Sequence, residues 1–192
     1  TIHYPPTFTE WIAWLDFCSE QKTDREAVIA AARTLIIMGR VSERDGRITL
    51  PGREALVGFH AERVVFMPRK LRIARRVTAW LQRLAGVRFV ALCNTTALAH
   101  ARDLGDLDFF VVTRTGTIWQ TRGWAALPFK LFNRRPRTDQ EIADAVCLSF
   151  FLDESALNLE PLSLKGEDPY LRYWFLSLLP LYDDGIGQAL WQ

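Results

Sequence analysis

The chain has 192 residues, 49% of them hydrophobic and 24% charged, with a formal net charge of only +2. That length serves one large domain or two small ones, and that composition can bury a real core, which excludes an intrinsically disordered chain. The three cysteines, Cys18, Cys93 and Cys147, are odd in number, far apart and without a C-x-x-C pair. They point to free thiols in a reducing compartment, away from a disulfide framework and from a zinc site, and each is expected as a small core residue.

The longest apolar run, Tyr173 to Tyr182, is too short to span a membrane and is interrupted by Pro180. Residues Thr1 to Pro6 carry neither the basic nor the apolar region of a signal peptide, so the expected location is the cytoplasm. Charge is uneven. Between Arg53 and Arg88 nine Lys or Arg stand against two glutamates, a local balance of +7, and Arg134, Arg135 and Arg137 form a second basic group. Such stretches read equally as solvated helix faces and as a patch for a polyanion.

In chain order, Phe8, Trp11, Ile12 and Leu15 have the spacing of a helix over 8–20. Thr23-Asp24-Arg25-Glu26 has the form of a capping box, with Thr23 as the cap of a second helix that runs to Gly39, a glycine suited to a left-handed terminus. Two short strands then flank Asp45-Gly46, the dipeptide of a type I′ hairpin. Helix, helix and hairpin in this order predict a winged-helix-like unit over 1–52. Arg25 and Arg33 lie on its second helix and Arg40, Arg44 and Arg47 near its hairpin. With so few basic positions on the second helix, a structural or docking role ranks above DNA binding.

Residues 53–66 and 69–85 predict two basic connecting helices separated at Pro68. From residue 87 the pattern alternates: a strand over 87–93, a short helix over 95–101, a strand over 107–113, an aromatic-rich helix over 117–132, a strand over 146–152 and a helix over 169–179. Loops are expected over 133–141 and 160–168. Alternation of this kind makes an α/β or α+β domain.

The chemistry concentrates between Asn94 and Val112. Asp106 and Asp108 stand two apart at the head of the strand 107–113. The two-residue strand period turns both carboxylates to one face, where their repulsion is relieved by a divalent cation such as Mg²⁺, a hard ion that shares carboxylate oxygens with substrate phosphates. Cations held in this way stabilise the attacking and leaving oxygens of an in-line phosphoryl displacement. As a bare D-x-D the pair could also be two surface acids. The strand, polar turn and short helix before it make the pattern more specific.

On these residues the chain resembles the polymerase β-like nucleotidyltransferase superfamily, whose pattern is a strand, a Gly-Ser or Gly-Gly turn opening a short helix, and D-x-D at the head of the next strand. Asn94 falls at the glycine position and Thr95 at the serine position. Residues 23–192 resemble a bacterial family of nucleotidyltransferase-domain proteins in which a winged-helix-like segment precedes the catalytic domain. The resemblance also takes in Trp119 to Arg122, Cys147 to Asp153 and Pro180 to Asp183. It implies an α+β fold with a nucleotidyltransferase-type mixed sheet flanked by helices over 87–192. It further implies Mg²⁺ on Asp106 and Asp108, phosphates of a nucleoside triphosphate at Asn94 and Thr95, and transfer of a nucleotidyl group to a protein, small-molecule or nucleic-acid hydroxyl. A nucleic-acid acceptor would meet the basic segment 53–88.

The sequence departs from that pattern in two places. Asn94 puts a side chain where glycine lets backbone amides approach phosphate, although asparagine still tolerates a left-handed conformation. The family also draws a third carboxylate from a later strand, and 146–152 contains no acid; Asp144 precedes it, Asp153 ends it and Ser149 sits within it. Two acids imply weaker metal binding and leave no obvious base for the attacking hydroxyl. Three readings follow: an Mg²⁺-dependent nucleotidyltransferase, a degenerate version of that fold acting as a binding or regulatory module, and a winged-helix DNA-binding protein with a sensor domain. His3, His60 and His100 lack metal-ligand spacing, and His60 and His100 are expected at the surface; the serines lack a G-x-S-x-G setting, and no P-loop is present. The seven tryptophans are expected in the core and in interfaces.

Overall fold

A computed structural model describes residues 3–18, 24–134, 142–164 and 168–191. The chain divides into two compact units, Thr1–Val65 and Phe66–Gln192. The boundary falls inside the basic segment 53–86, so its first helix belongs with the first unit and its second helix with the second.

The first unit holds α1 (Phe8–Cys18), α2 (Arg25–Ile37), the hairpin β1 (Ser42–Arg44) and β2 (Arg47–Thr49), and α3 (Ala55–Val64). The cap of α2 is Asp24, whose carboxylate accepts from the Glu26 amide, rather than Thr23, which lies outside the described residues. At the other end Gly39 has φ +65°, and the amides of Gly39 and Arg40 return to Ile36 and Leu35, as the glycine predicts. Asp45 and Gly46 both have positive φ, 51° and 72°, which closes the hairpin as a type I′ turn with Ser42 opposite Thr49.

Arg47 does not offer a free cation to a ligand, as the sequence suggested. Its guanidinium donates to the Pro5 carbonyl at 2.7 Å and lies over the Tyr4 ring. Tyr4 in turn donates to Glu10 and stands edge-on to His60, ring centroids 5.2 Å apart. His60 is therefore buried rather than at the surface. Its burial, reinforced by the charge of Arg47, holds the imidazole pKa below the usual 6.5. The folded unit prefers the neutral ring, so this contribution to stability is complete above pH 6.5 and is lost as the pH falls from there through the folded-state value. Melting of the wild type and His60→Gln across that window should show a steeper acid loss in the wild type. Parallel profiles would contradict this account.

The second unit begins with α4 (Met67–Leu81), where Pro68 occupies the first turn, so α3 and α4 are separate helices that part near the proline as expected. It continues through β3 (Val87–Leu92), α5 (Asn94–Ala97), β4 (Leu107–Thr113), α6 (Ile118–Leu131), β5 (Val146–Asp153), α7 (Pro169–Leu176), β6 (Leu179–Asp183) and α8 (Gly187–Leu190). The strands form one mixed sheet in the order β5-β4-β3-β6. β3 is antiparallel to β4 and β6, and β4 is parallel to β5. One face buries Leu107, Phe109 and Val111 against Ala74, Val77 and Leu81 of α4 and Ala125 of α6. The other buries Phe89, Ala91, Phe110 and Val112 against Trp174 of α7 and Leu190 of α8. The fold is thus α+β, with a mixed sheet flanked by helices.

The helix predicted over 169–179 ends at Leu176, and Leu179–Asp183 forms β6 at the sheet edge, where exposed Pro180 need not supply a ladder amide. Trp119 and Trp124 on α6 are 80% and 61% exposed, not core residues. The sequence-predicted loop 133–141 lies outside the described residues from 135 on, together with Arg135 and Arg137.

Candidate metal centre at the head of the central strands

β4 fixes Asp108 within the strand and Asp106 just before it, and alternation turns both side chains to the Trp174 face, the side on which Phe110 and Val112 also lie. Parallel pairing sets Cys147 of β5 opposite Asp108. One carboxylate oxygen from each aspartate and the Cys147 sulfur all lie within 4.8 Å of one another, and all three residues are half-buried. The cysteine stands on the later strand from which a third acid is expected. Asp144 and Asp153 go elsewhere: Asp144 pairs with Lys70 and Arg69, and Asp153 accepts from the Gly116 amide and from Ser155 at the far end of β5. The Ser149 side chain lies outside the described set.

Asp108 feels its surroundings strongly. Burial first, and then the charge of Asp106, push its pKa above the ordinary aspartate value of 3.8, while hydrogen bonds from Asn94 and Cys147 oppose the rise. Two carboxylates held together and partly withdrawn from water are in deficit of positive charge. Cys93, the residue after β3, is fully buried, and burial, with Asp108 adding to it, drives its thiol pKa far upward, so it is a core residue and not a nucleophile.

Asn94 takes the left-handed conformation its position demands, φ +55°. Its side chain is engaged on both sides. Oδ1 accepts from the Trp174 indole at 2.8 Å, which leaves the amide nitrogen to donate to Asp108. Thr95 lies on α5 and is half-buried, with its carbonyl accepting from the His100 amide. The next residue, Thr96, is fully buried and ties α5 to the site by donating from its hydroxyl to the Asp106 carbonyl at 3.2 Å. His100, expected on the surface, is 1% exposed.

A second set of residues holds the segments that lead into β4 and β5. Lys70 of α4 is 1% exposed, and its ammonium donates to the carbonyls of Gly105 (2.5 Å) and Asp103 (3.3 Å) and to the Asp144 carboxylate (2.8 Å). Arg69 pairs with the Asp103 carboxylate at 2.7 Å and donates to the Asp103 carbonyl at 2.9 Å; it meets Asp144 through an ion-pair contact at Nε (3.0 Å) and a hydrogen bond from its terminal nitrogen (3.3 Å). Lys70 was counted as part of a basic patch. It is instead an internal brace, and Arg88 is likewise engaged by Glu154 and Asp184. Of the basic residues on α4, Arg72, Arg75 and Arg76 remain exposed. Sequence reasoning missed Cys147, Thr96 and Lys70. A cysteine in a strand and a lysine in a basic helix carry no local signal of such roles.

Comparison of the chain with protein-family models, with curated proteins and with solved structures gives no match. Among the described residues no helix is long and apolar enough to cross a membrane. The chemistry of the site therefore rests on its own geometry. Two convergent carboxylates fit a divalent cation in both charge and donor type, and the sulfur beside them is a softer donor than Mg²⁺ selects.

Proposed function

We propose that this protein is a divalent-cation-dependent nucleotidyltransferase that moves a nucleotidyl group from a nucleoside triphosphate to an acceptor hydroxyl. The observation that carries the reading is the placement of Asp106 and Asp108 on one face at the head of β4, after a strand, a left-handed turn and a short helix. That succession is the pattern of the polymerase β-like superfamily. Asp106 and Asp108 would hold Mg²⁺ or a related cation, which when bound neutralises phosphate charge and stabilises the oxygens of an in-line displacement. Thr95 and the amides opening α5 would orient the phosphates. Asn94 and Thr96 keep the carboxylates in place.

Titration calorimetry with Mg²⁺ and each nucleoside triphosphate tests this directly. Binding by the wild type is expected to fall by about a hundredfold or more in the double variant Asp106→Asn/Asp108→Asn, the loss of charge at both ligands. No binding by the wild type, or equal binding by the variant, overturns the proposal.

A specific observation favours a second reading, a catalytically degenerate module that binds nucleotide or nucleic acid and regulates. Cys147 stands where a third carboxylate would activate the acceptor, and the Asn94 side chain fills the phosphate turn. Sustained turnover by the unmodified chain excludes it. In either reading the first unit serves as a winged-helix-like docking element. Any nucleic-acid contact from it would use exposed Arg25, Arg33, Arg40 and Arg44, and a contact from the second unit would use Arg72, Arg75 and Arg76 on α4. A duplex-binding assay titrated with salt reads this contribution.

A further inference from the structure

We infer that the site takes a borderline-soft divalent cation, Zn²⁺ or Co²⁺, in preference to Mg²⁺, with the Cys147 thiolate as its third protein ligand. The inference rests on the reading of Asp106 and Asp108 as cation ligands and deepens it.

Three features converge on this conclusion. The ligand set is mixed, two carboxylate oxygens and one sulfur, all within 4.8 Å of one another. Its geometry is built by the sheet, because Asp108 and Cys147 are direct partners across the parallel pairing of β4 and β5. The alternative hard ligands near the strand are already committed: Asp144 to Lys70 and Arg69, Asp153 to Gly116 and Ser155. Among the described residues of this unit, Cys93 also lies on this side of the sheet, and it is fully buried. Sulfur ligands select Zn²⁺ and its neighbours over Mg²⁺, which prefers an all-oxygen octahedral shell. On coordination the Cys147 thiol passes its proton to solvent, the sulfur–metal bond forms, and no electron changes hands.

Co²⁺ is a spectroscopic probe for this arrangement. Added to the full chain it should give a sulfur-to-metal charge-transfer band, and Zn²⁺ should displace it while Mg²⁺ should not. Cys147→Ser should lose the band and bind Zn²⁺ more weakly by on the order of tenfold or more, and Cys147→Asp should shift the ratio of affinities toward Mg²⁺. Cys18→Ser should keep the band. Circular dichroism of each variant establishes that it is folded. Binding of Co²⁺ and Mg²⁺ without the band, equally in wild type and Cys147→Ser, overturns the sulfur ligand and leaves the aspartate site standing. A band that survives in Cys147→Ser also overturns it. Absence of any cation from the wild type sinks both this inference and the reading on which it rests.

Discussion

Lys70→Met is expected to destabilise the second unit by about 3 kcal/mol, the lower end of the range for breaking a buried ion pair. The wild-type ammonium is nearly inaccessible and has three acceptors, two of them main-chain carbonyls of the segment that leads into Asp106. Methionine matches the aliphatic stem but leaves the Gly105 carbonyl without its donor and removes the buried positive charge from Asp144, while the Asp103 carbonyl and Asp144 Oδ1 keep Arg69 as a donor. Arg69 remains against Asp144 and keeps the loss from being larger. Because Gly105 precedes Asp106 directly, cation affinity should fall along with stability. Chemical denaturation of Lys70→Met, Asp144→Asn and the double variant measures the coupling. A double variant more stable than the sum of the single changes is expected, and a Lys70→Met within about 0.5 kcal/mol of wild type would contradict the brace, since that is the scatter of an ordinary surface change.

Asn94→Gly is the second large effect, and its sign separates two accounts of the turn. If the position simply needs a left-handed residue, glycine fits φ +55° better than asparagine does, and the variant should be as stable or more so. The geometry argues otherwise. Glycine removes the acceptor of the buried Trp174 indole and the donor that steadies Asp108, at a cost of about 1–3 kcal/mol for the orphaned buried group. The expected outcome is a lower melting temperature and weaker cation binding together. A stabilised variant with unchanged cation affinity would show that the asparagine side chain plays no positioning role.

The main strands were legible because their patterns are local. Phe109 to Thr113 is a continuous apolar and β-branched run with Asp106 and Asp108 at its head, and β4 spans the expected residues, Leu107–Thr113. Gly39 and Asp45-Gly46 announce backbone shapes that few other residues adopt, and the chain adopts them. β6 was not legible. Its five residues follow a helical pattern without an intervening breaker, and Pro180 is tolerated only because the strand lies at an edge. The two misplaced histidines failed for a related reason: a polar residue in a helix gives no sign of whether another segment will cover it. Cys147 was hidden by register. Between Asp108 and Phe110 the pairing with β5 shifts by one residue, so Cys147 and Phe150, three apart, oppose residues two apart. Strict alternation along β5 cannot put both on the side of Asp108 and Phe110, whereas the bulge does.

The parallel pairing of β5 also has a kinetic consequence. Asn94, Asp106 and Asp108 belong to one contiguous stretch, two antiparallel strands and the turn between them, whose closure is short-range and fast. Cys147 reaches them only after the chain has passed through α6 and the segment beyond it, a longer loop with a larger entropic barrier. The oxygen ligands are therefore expected to assemble before the sulfur during refolding. The last step of building the site is then the one that decides which ion it keeps.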